Sequence, residues 1–208
     1  MTNNHIKNRF EALGLDGLDC RFDQLERYVE LLSKWNKKVN LTSLDIDPIS
    51  DEALDRLIVE PVLAALEVES ADLRVADVGS GGGSPAIPFR IQLPGSGIRL
   101  FESRSRKCAF LREVIRDIGL ADSSVEEGRF EDLAFSARLS AVADLITVRA
   151  VRFDQAFLNL AAHILKPEGL VFRFCSSEGE PPPDSMELVR SRALVPGSSS
   201  FLQVIRFR

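Results

Sequence analysis

Asp77, the glycines Gly79, Gly81, Gly82 and Gly83, and Glu102 after the next apolar run are the residues whose types and spacing could do chemistry. Glycines allow a tight turn and let backbone N–H groups approach a ligand with no Cβ in the way. A carboxylate at the end of the following strand can accept hydrogen bonds from ribose hydroxyls, so the set suits a nucleotide-type ligand lying across the end of a parallel sheet. It is not the dinucleotide fingerprint. G-x-G-x-x-G would need glycine at Ser84 or Ala86, depending on the start, and no G-x-x-x-x-G-K-[ST] run exists. Downstream, Arg104, Arg106, Lys107, Arg112 and Arg116 cluster, either as a basic surface beside the site or as the solvated face of a helix that also carries Glu113 and Asp117.

These residues need elements to hold them. Leu73–Val78, Ile98–Phe101, Val125–Glu127, Leu145–Val148, Leu170–Phe174 and Phe201–Phe207 read as strands, and Pro85–Gln92, Ser105–Ile118, Phe153–Leu165 and Asp184–Arg192 as helices. Alternation of this size implies a parallel sheet covered by helices on both faces. Phe201–Phe207, directly after Pro196-Gly-Ser-Ser-Ser200, is placed for an antiparallel last strand. Glu178–Asp184, with three prolines, reads as a stiff linker. The first 70 residues differ. Phe22, Leu25, Val29, Leu32 and Trp35 recur at helical spacing in a helix from Phe22 to Lys38, and a second helix is expected over Asp51–Leu66. The expected organisation is a helical extension over 1–70 and a ligand-binding α/β domain over 71–208.

The chain has 208 residues, 45% hydrophobic and 27% charged, as in an ordinary globular protein. No apolar run approaches the roughly 20 residues that span a bilayer, and the polar start, Met1 to Phe10, shows no secretory signal. Cys20, Cys108 and Cys175 lack C-x-x-C spacing and are expected as buried free thiols in a reducing cytosol. The two histidines, His5 and His163, lie near no cysteine, so no metal site is expected; His5 reads as an unordered tail residue and His163 as a helix-face residue. Net charge is −5, with 8 basic and 14 acidic side chains over residues 1–70. Broad nucleic-acid affinity is disfavoured by this balance, which leaves room for a local basic surface.

Asp77-Val-Gly-Ser-Gly resembles motif I of class I S-adenosylmethionine-dependent methyltransferases. Several segments read together narrow the resemblance. Trp35-Asn-Lys-Lys-Val-Asn40-Leu-Thr42, the loop Gly79–Pro88, Glu102-Ser103 followed by Arg106-Lys107 and Phe110-Leu111, Gly128-Arg129-Phe-Glu131-Asp132, and Val148-Arg149-Ala150-Val151 stand in the order found in the glucose-inhibited division protein B (RsmG) family. Members of that family methylate N7 of a guanine in 16S ribosomal RNA. The resemblance implies a Rossmann-like, seven-stranded, mostly parallel sheet with helices on both faces and an N-terminal helical extension. It implies S-adenosyl-L-methionine as cofactor, bound by Gly79, Gly81, Ser84, Glu102, Phe130, Glu131 and Arg149. Phe130 and Glu131 would flank the adenine. Arg149 would sit between cofactor and target base in a positioning and electrostatic role, with Arg106, Lys107 and Arg129 toward the RNA. Ribosomal RNA or the small subunit is the implied partner, a monomer the expected state and the cytoplasm the expected location.

The chain also departs from the family's pattern. Gly82 replaces a proline, Ser84 a leucine and Glu102 an aspartate; Arg56–Pro61 lacks a usual histidine; Cys175 stands where a lysine is usual; and no basic tail follows the last strand. The differences fall largely on the RNA side. Two other readings therefore stay open: methyl transfer to another RNA or a small molecule, and a cofactor-binding or partner-binding relic without catalysis.

Overall fold

The computed structural model describes residues 5–133, 136–176 and 181–208, apart from the side chains of Phe130 and Glu131. Seven strands form one sheet: β1 (Arg74–Val78), β2 (Gly97–Glu102), β3 (Ser123–Glu127), β4 (Ala143–Arg149), β5 (Leu165–Cys175), β6 (Met186–Ala193) and β7 (Phe201–Phe207). Their order is β3-β2-β1-β4-β5-β7-β6, with β7 antiparallel to both neighbours and the other pairs parallel. Strand order reverses between β1 and β4. Connections leaving those two strands diverge, which opens a crevice at their carboxyl ends. Gly79 begins the loop after β1 and Arg149 ends β4 at that switch point.

Helices α1 (His5–Ala12), α2 (Phe22–Val39), α3 (Asp51–Leu54), α4 (Glu60–Ala65), α5 (Ala86–Gln92) and α6 (Ser105–Ile118) precede or alternate with the first strands; α7 (Phe130–Leu133) and α8 (Gln155–Ile164) follow β3 and β4. Strand side chains alternate between the two faces. Val75, Ile98, Leu100, Leu145 and Phe172 join the helices of the extension and α5 and α6 in one core, while Ala76, Val78, Phe101, Ile146, Val148 and Val171 pack with Leu160 and Ile164 of α8 in the other. The N-terminal helices thus supply much of the cover for one face of the sheet.

Several expectations are corrected. Asp184–Arg192 is not a helix: β6 occupies Met186–Ala193 as an edge strand beside β7, with a register shift between Leu188 and Arg190. Local pattern gave no reason to prefer a strand, and pairing with β7 decides it. Arg190 and Arg192, two residues apart and so on one face, both pair with Glu67 just beyond α4 (2.7 and 2.9 Å). His5 is not in an unordered tail but opens α1, which buries Ile6 and Phe10 completely enough to join the core. Its Arg9 makes a two-pronged pair with Asp55 (2.8 and 2.6 Å). Of the cysteines, Cys108 is buried, whereas Cys20 and Cys175 are partly exposed. Strand β5 starts five residues earlier than expected, directly after α8.

Helix α2 buries Leu25, Tyr28, Val29 and Leu32, and ends where Asn40 takes a left-handed conformation (φ 35°). Asn36 accounts for the signature at its end. Its Oδ1 accepts the N–H groups of Leu41 (2.6 Å) and Thr42 (3.0 Å), and its Nδ2 donates to the Thr42 carbonyl (3.1 Å), folding the Leu41–Leu44 loop back onto the glycine turn. Trp35 packs on Phe110 of α6, ring centroids 5.9 Å apart. The expected helix over Asp51–Leu66 is continuous but widens into one π-helical turn at Asp55–Val59.

Candidate functional site

The turn after β1 uses its glycines for backbone reasons. Gly79, Gly81 and Gly83 have φ of 76°, 54° and 88°, a region costly for residues with a Cβ. A Cβ on Gly83 would lie 2.9 Å from Ile87 Cγ1, and one on Gly82 3.1 Å from the Leu41 carbonyl. The N–H groups of Gly79 and Ser80 donate to the Phe101 carbonyl (2.9 and 3.0 Å), tying the turn to the end of β2. From the other side, the buried Tyr28 hydroxyl of α2 donates to the Gly82 carbonyl (2.7 Å).

Two buried carboxylates underlie this turn. Glu102 accepts from Gly81 N–H at Oε2 (2.9 Å) and from Arg104 N–H at Oε1 (2.8 Å), so it bridges the turn and the start of α6. A carboxylate has about four acceptor positions, so these two bonds and a longer one from the Ser103 hydroxyl to Oε1 (3.5 Å) leave room for a further donor. Asp77 accepts at Oδ1 from the Thr147 hydroxyl of β4 (2.6 Å), but its buried Oδ2 has no partner. Burial pushes the Asp77 carboxyl up to about 6, against the Thr147 hydrogen bond and the Arg149 charge, which favour its ionised form; the Ser80 hydroxyl donates to the Asp77 backbone carbonyl (3.0 Å). A buried, half-satisfied acid under a glycine turn is a mark of a functional site.

Arg149, at the other lip, is 14% exposed at its side chain. Its Nη2 donates to Glu60 Oε2 (2.8 Å), its Nη1 to the Arg56 carbonyl, and its guanidinium lies 4.8 Å over the Phe174 ring. The π-helical turn makes this possible. Pro61 has no N–H for the Leu57 carbonyl in an α-turn or the Arg56 carbonyl in a π-turn. Arg149 takes the Arg56 carbonyl, and the Ser84 hydroxyl takes that of Leu57 (2.9 Å). A cavity of about 330 Å³ runs between these parts, lined by the Leu41–Leu44 loop, Arg56, Leu57, the turn from Gly79 to Gly82, Ser84 and Arg149. Among the described residues no three His, Cys, Asp or Glu side chains gather as metal ligands, and no helix is long and apolar enough to cross a membrane.

A family model described as GidB: rRNA small subunit methyltransferase G matches residues 21–198. The chain belongs to that family. Ribosomal RNA small subunit methyltransferase G of Neisseria meningitidis serogroup C is 38% identical over 162 residues, covering 76% of this chain and 72% of that protein. The protein of the same name from Streptococcus gordonii is 31% identical over 189 residues, covering 90% and 77%. Among solved structures, a SAM-dependent methyltransferase from Aquifex aeolicus superposes with a TM-score of 0.59 at 15% identity (85% of this chain, 98% of that one), and the mitomycin 7-O-methyltransferase MmcR with 0.60 at 15% identity (99% and 67%). At such identities these two show the fold, that of class I methyltransferases.

Within this GidB-family site, the structure brings Gly79, Gly81, Ser84 and Arg149 to one cavity. Glu102 lies beside it, bonded to Gly81. Lys107 reaches the same turn, its Nζ 3.8 Å from where a Cβ on Gly81 would stand. Arg106 and Arg129 are exposed, and neither lines the cavity. Phe130 and Glu131 belong to the first turn of α7, and their side chains lie outside the described residues. Ser84 turns its hydroxyl toward Leu57. Arg149 pairs with Glu60, and Asp144 at the other end of β4 pairs with Lys166 (2.8 Å). Glu60 and Tyr28 were not singled out as site residues, and Asp77 was read as the acid before the glycines with no contact assigned to it. The readable signal for Glu60 is Pro61 inside an otherwise helical run; Tyr28 carries none, because its role depends on a turn 54 residues later in the chain.

Proposed function

We propose that this family member transfers a methyl group from S-adenosylmethionine to N7 of a guanine in 16S ribosomal RNA, acting in the cytoplasm on the small subunit or its RNA. The observation that carries this is a single crevice joining a glycine turn over two buried carboxylates to a fixed arginine. The cofactor supplies an electrophilic methyl on a sulfonium. Two acidic side chains, Asp77 and Glu102, under the turn suit a cationic ligand better than a phosphorylated one, in keeping with the absence of a dinucleotide or P-loop pattern. Glu102 would accept from the ribose hydroxyls, and the glycines of the turn, with no Cβ in the way, would admit the methionine end.

Guanine N7 has an in-plane lone pair and loses no proton before attack. With the cofactor bound, N7 would take the methyl group while sulfur keeps the electron pair of the broken carbon–sulfur bond. The protein's share is alignment and electrostatics. Arg149, pinned by Glu60 and Phe174, presents a planar donor fork that suits O6 or N7 of the base. Lys107, Arg106 and Arg129 supply positive charge on the RNA side of the turn.

The test is nucleoside mass spectrometry of 16S ribosomal RNA from cells lacking their endogenous activity, with and without this chain. Return of N7-methylguanosine is expected; its absence, with cofactor binding intact, would move the acceptor to another RNA or a small molecule. Calorimetry with S-adenosylhomocysteine separates a relic. Micromolar binding weakened at least tenfold by Glu102→Ala is expected, and no binding by the wild type would overturn the cofactor assignment.

A further inference from the structure

One wall of the cavity of about 330 Å³ comes neither from the sheet nor from the glycine turn. It is made by Leu41, Thr42, Ser43 and Leu44, on the stretch between α2 and α3. Connecting segments are ordinarily the less fixed part of a fold, yet four hydrogen bonds hold this one. Asn36 Oδ1 accepts the N–H groups of Leu41 and Thr42 (2.6 and 3.0 Å), and its Nδ2 donates to the Thr42 carbonyl (3.1 Å). The Thr42 hydroxyl accepts from Leu44 N–H (3.1 Å). Side-chain groups that take the place of backbone partners in this way fix the path of the chain. On its other side the loop stands against the turn, the Leu41 carbonyl 3.1 Å from the place of a Cβ on Gly82. Glu102, the acid read as the ribose acceptor, does not line this cavity, whereas Arg149 and Ala150 do. The loop therefore faces the part of the crevice between Gly82 and the end of β4, and the exposed Ser43 carries it to the solvent. Its side chains are two leucines and two small hydroxyls, with no charge. Such a lining suits the face and edge of a flat base better than a phosphate.

We propose that the Thr42–Leu44 loop forms the acceptor side of the methyl-transfer crevice, seating the target base, and that Asn36 is its positioning residue. The inference rests on an RNA base being the acceptor. Bases of RNA are read where they are unstacked and splayed out into a protein site, and the attacking nitrogen must meet the methyl group in line. A misplacement of about 1 Å is enough to cost on the order of a hundredfold in rate. Asn36 itself does not line the cavity and acts through the loop. The N-terminal extension thereby contributes to the site and not only to the core. The methionine end of the cofactor is the competing occupant of the same wall.

Asn36→Ala, Asn36→Asp and Ser43→Trp are compared with wild type in methyl transfer to small-subunit RNA and in calorimetry with S-adenosylhomocysteine, whose stoichiometry counts folded sites. Asn36→Ala removes the clamp, Asn36→Asp keeps an acceptor for both N–H groups, and Ser43→Trp fills the wall from an exposed position. Asn36→Ala and Ser43→Trp are each expected to lower kcat/KM for the RNA at least tenfold, with S-adenosylhomocysteine affinity within twofold and full stoichiometry. Asn36→Asp should regain most of the loss. Cofactor affinity falling in step with turnover assigns the wall to the methionine end and overturns the proposal. Unchanged turnover in Ser43→Trp also overturns it, as does a loss in Asn36→Ala matched by lost stoichiometry, which makes Asn36 a helix cap alone. Should the wild type leave small-subunit RNA unmethylated, the function reading fails separately, and the same variants are measured with total RNA as methyl acceptor. The same pattern on another RNA keeps the loop as the acceptor wall, and no methylation of any RNA overturns both.

Discussion

At the scale of single residues, the site is governed by charges taken out of water. Arg149 and Glu60 are a buried pair, and breaking such a pair leaves the survivor's desolvation uncompensated, which costs about 3–5 kcal/mol. Arg149→Ala should therefore lower both stability and turnover. Adding Glu60→Gln should restore much of the melting temperature but not the turnover, with S-adenosylhomocysteine affinity changing less than kcat; equal losses of affinity and kcat would show that Arg149 holds the cofactor rather than the base. Asp77 yields a pH prediction. Its carboxyl is raised from 3.8 to about 6 on folding, so the folded state holds the proton more tightly than the unfolded one. That contribution to stability is complete below pH 3.8 and is lost as pH rises through 6. Asp77→Asn keeps an acceptor for Thr147 and cannot ionise, so its melting temperature relative to wild type should climb between pH 4 and 7, by roughly 2–3 kcal/mol in stability. A flat difference would mean that Asp77 titrates normally.

At the scale of elements, the glycine turn is shaped from both sides. Strand β2 holds it through the Phe101 carbonyl and Glu102, and α2 through the Tyr28 hydroxyl. The family's proline at position 82 would stiffen such a turn from within. Here Gly82 is stiffened from without, pressed against Leu41 and bonded by Tyr28. Tyr28→Phe should cost about 1–2 kcal/mol, the net value of a buried hydrogen bond with its acceptor left unpaired, and should weaken S-adenosylhomocysteine binding several-fold by calorimetry. A full loss of stability with unaltered binding would place the bond in the fold alone. The π-helical turn is the second such element. Pro61 withholds one N–H, and the freed carbonyls become the seats of Ser84 and Arg149.

At the scale of the whole molecule, the N-terminal helices belong to the same core as the sheet. Leu25, Tyr28, Leu54 and Ile58 share one apolar cluster with Ile87, Leu111 and Phe172, and Arg27 pairs with Asp117 of α6 (3.0 Å). One cooperative melting transition is expected for the full chain, whereas residues 71–208 alone should melt without cooperativity and bind a hydrophobic dye, because a whole face of the sheet loses its cover. Independent folding of 71–208 would make the extension an accessory. Glu67, gripping Arg190 and Arg192, ties the same helices to the opposite edge of the sheet.

Much of this was legible in order along the chain. Helical spacing from Phe22 to Trp35, the strand–turn–helix rhythm after Leu73 and the glycine turn before Glu102 are local patterns, and backbone geometry follows local pattern where one face must be buried. The ordered segments from Trp35 to Val151 were enough to point to the family. What sequence alone left undecided depends on partners distant in the chain. Whether Met186–Ala193 pairs as a strand is set by β7. Which acid neutralises Arg149 is set by Glu60, 89 residues earlier in the chain. Local sequence carries the periodicity that builds elements and the glycines that make the turn; charge pairing and desolvation act through space, so only the tertiary structure decided them.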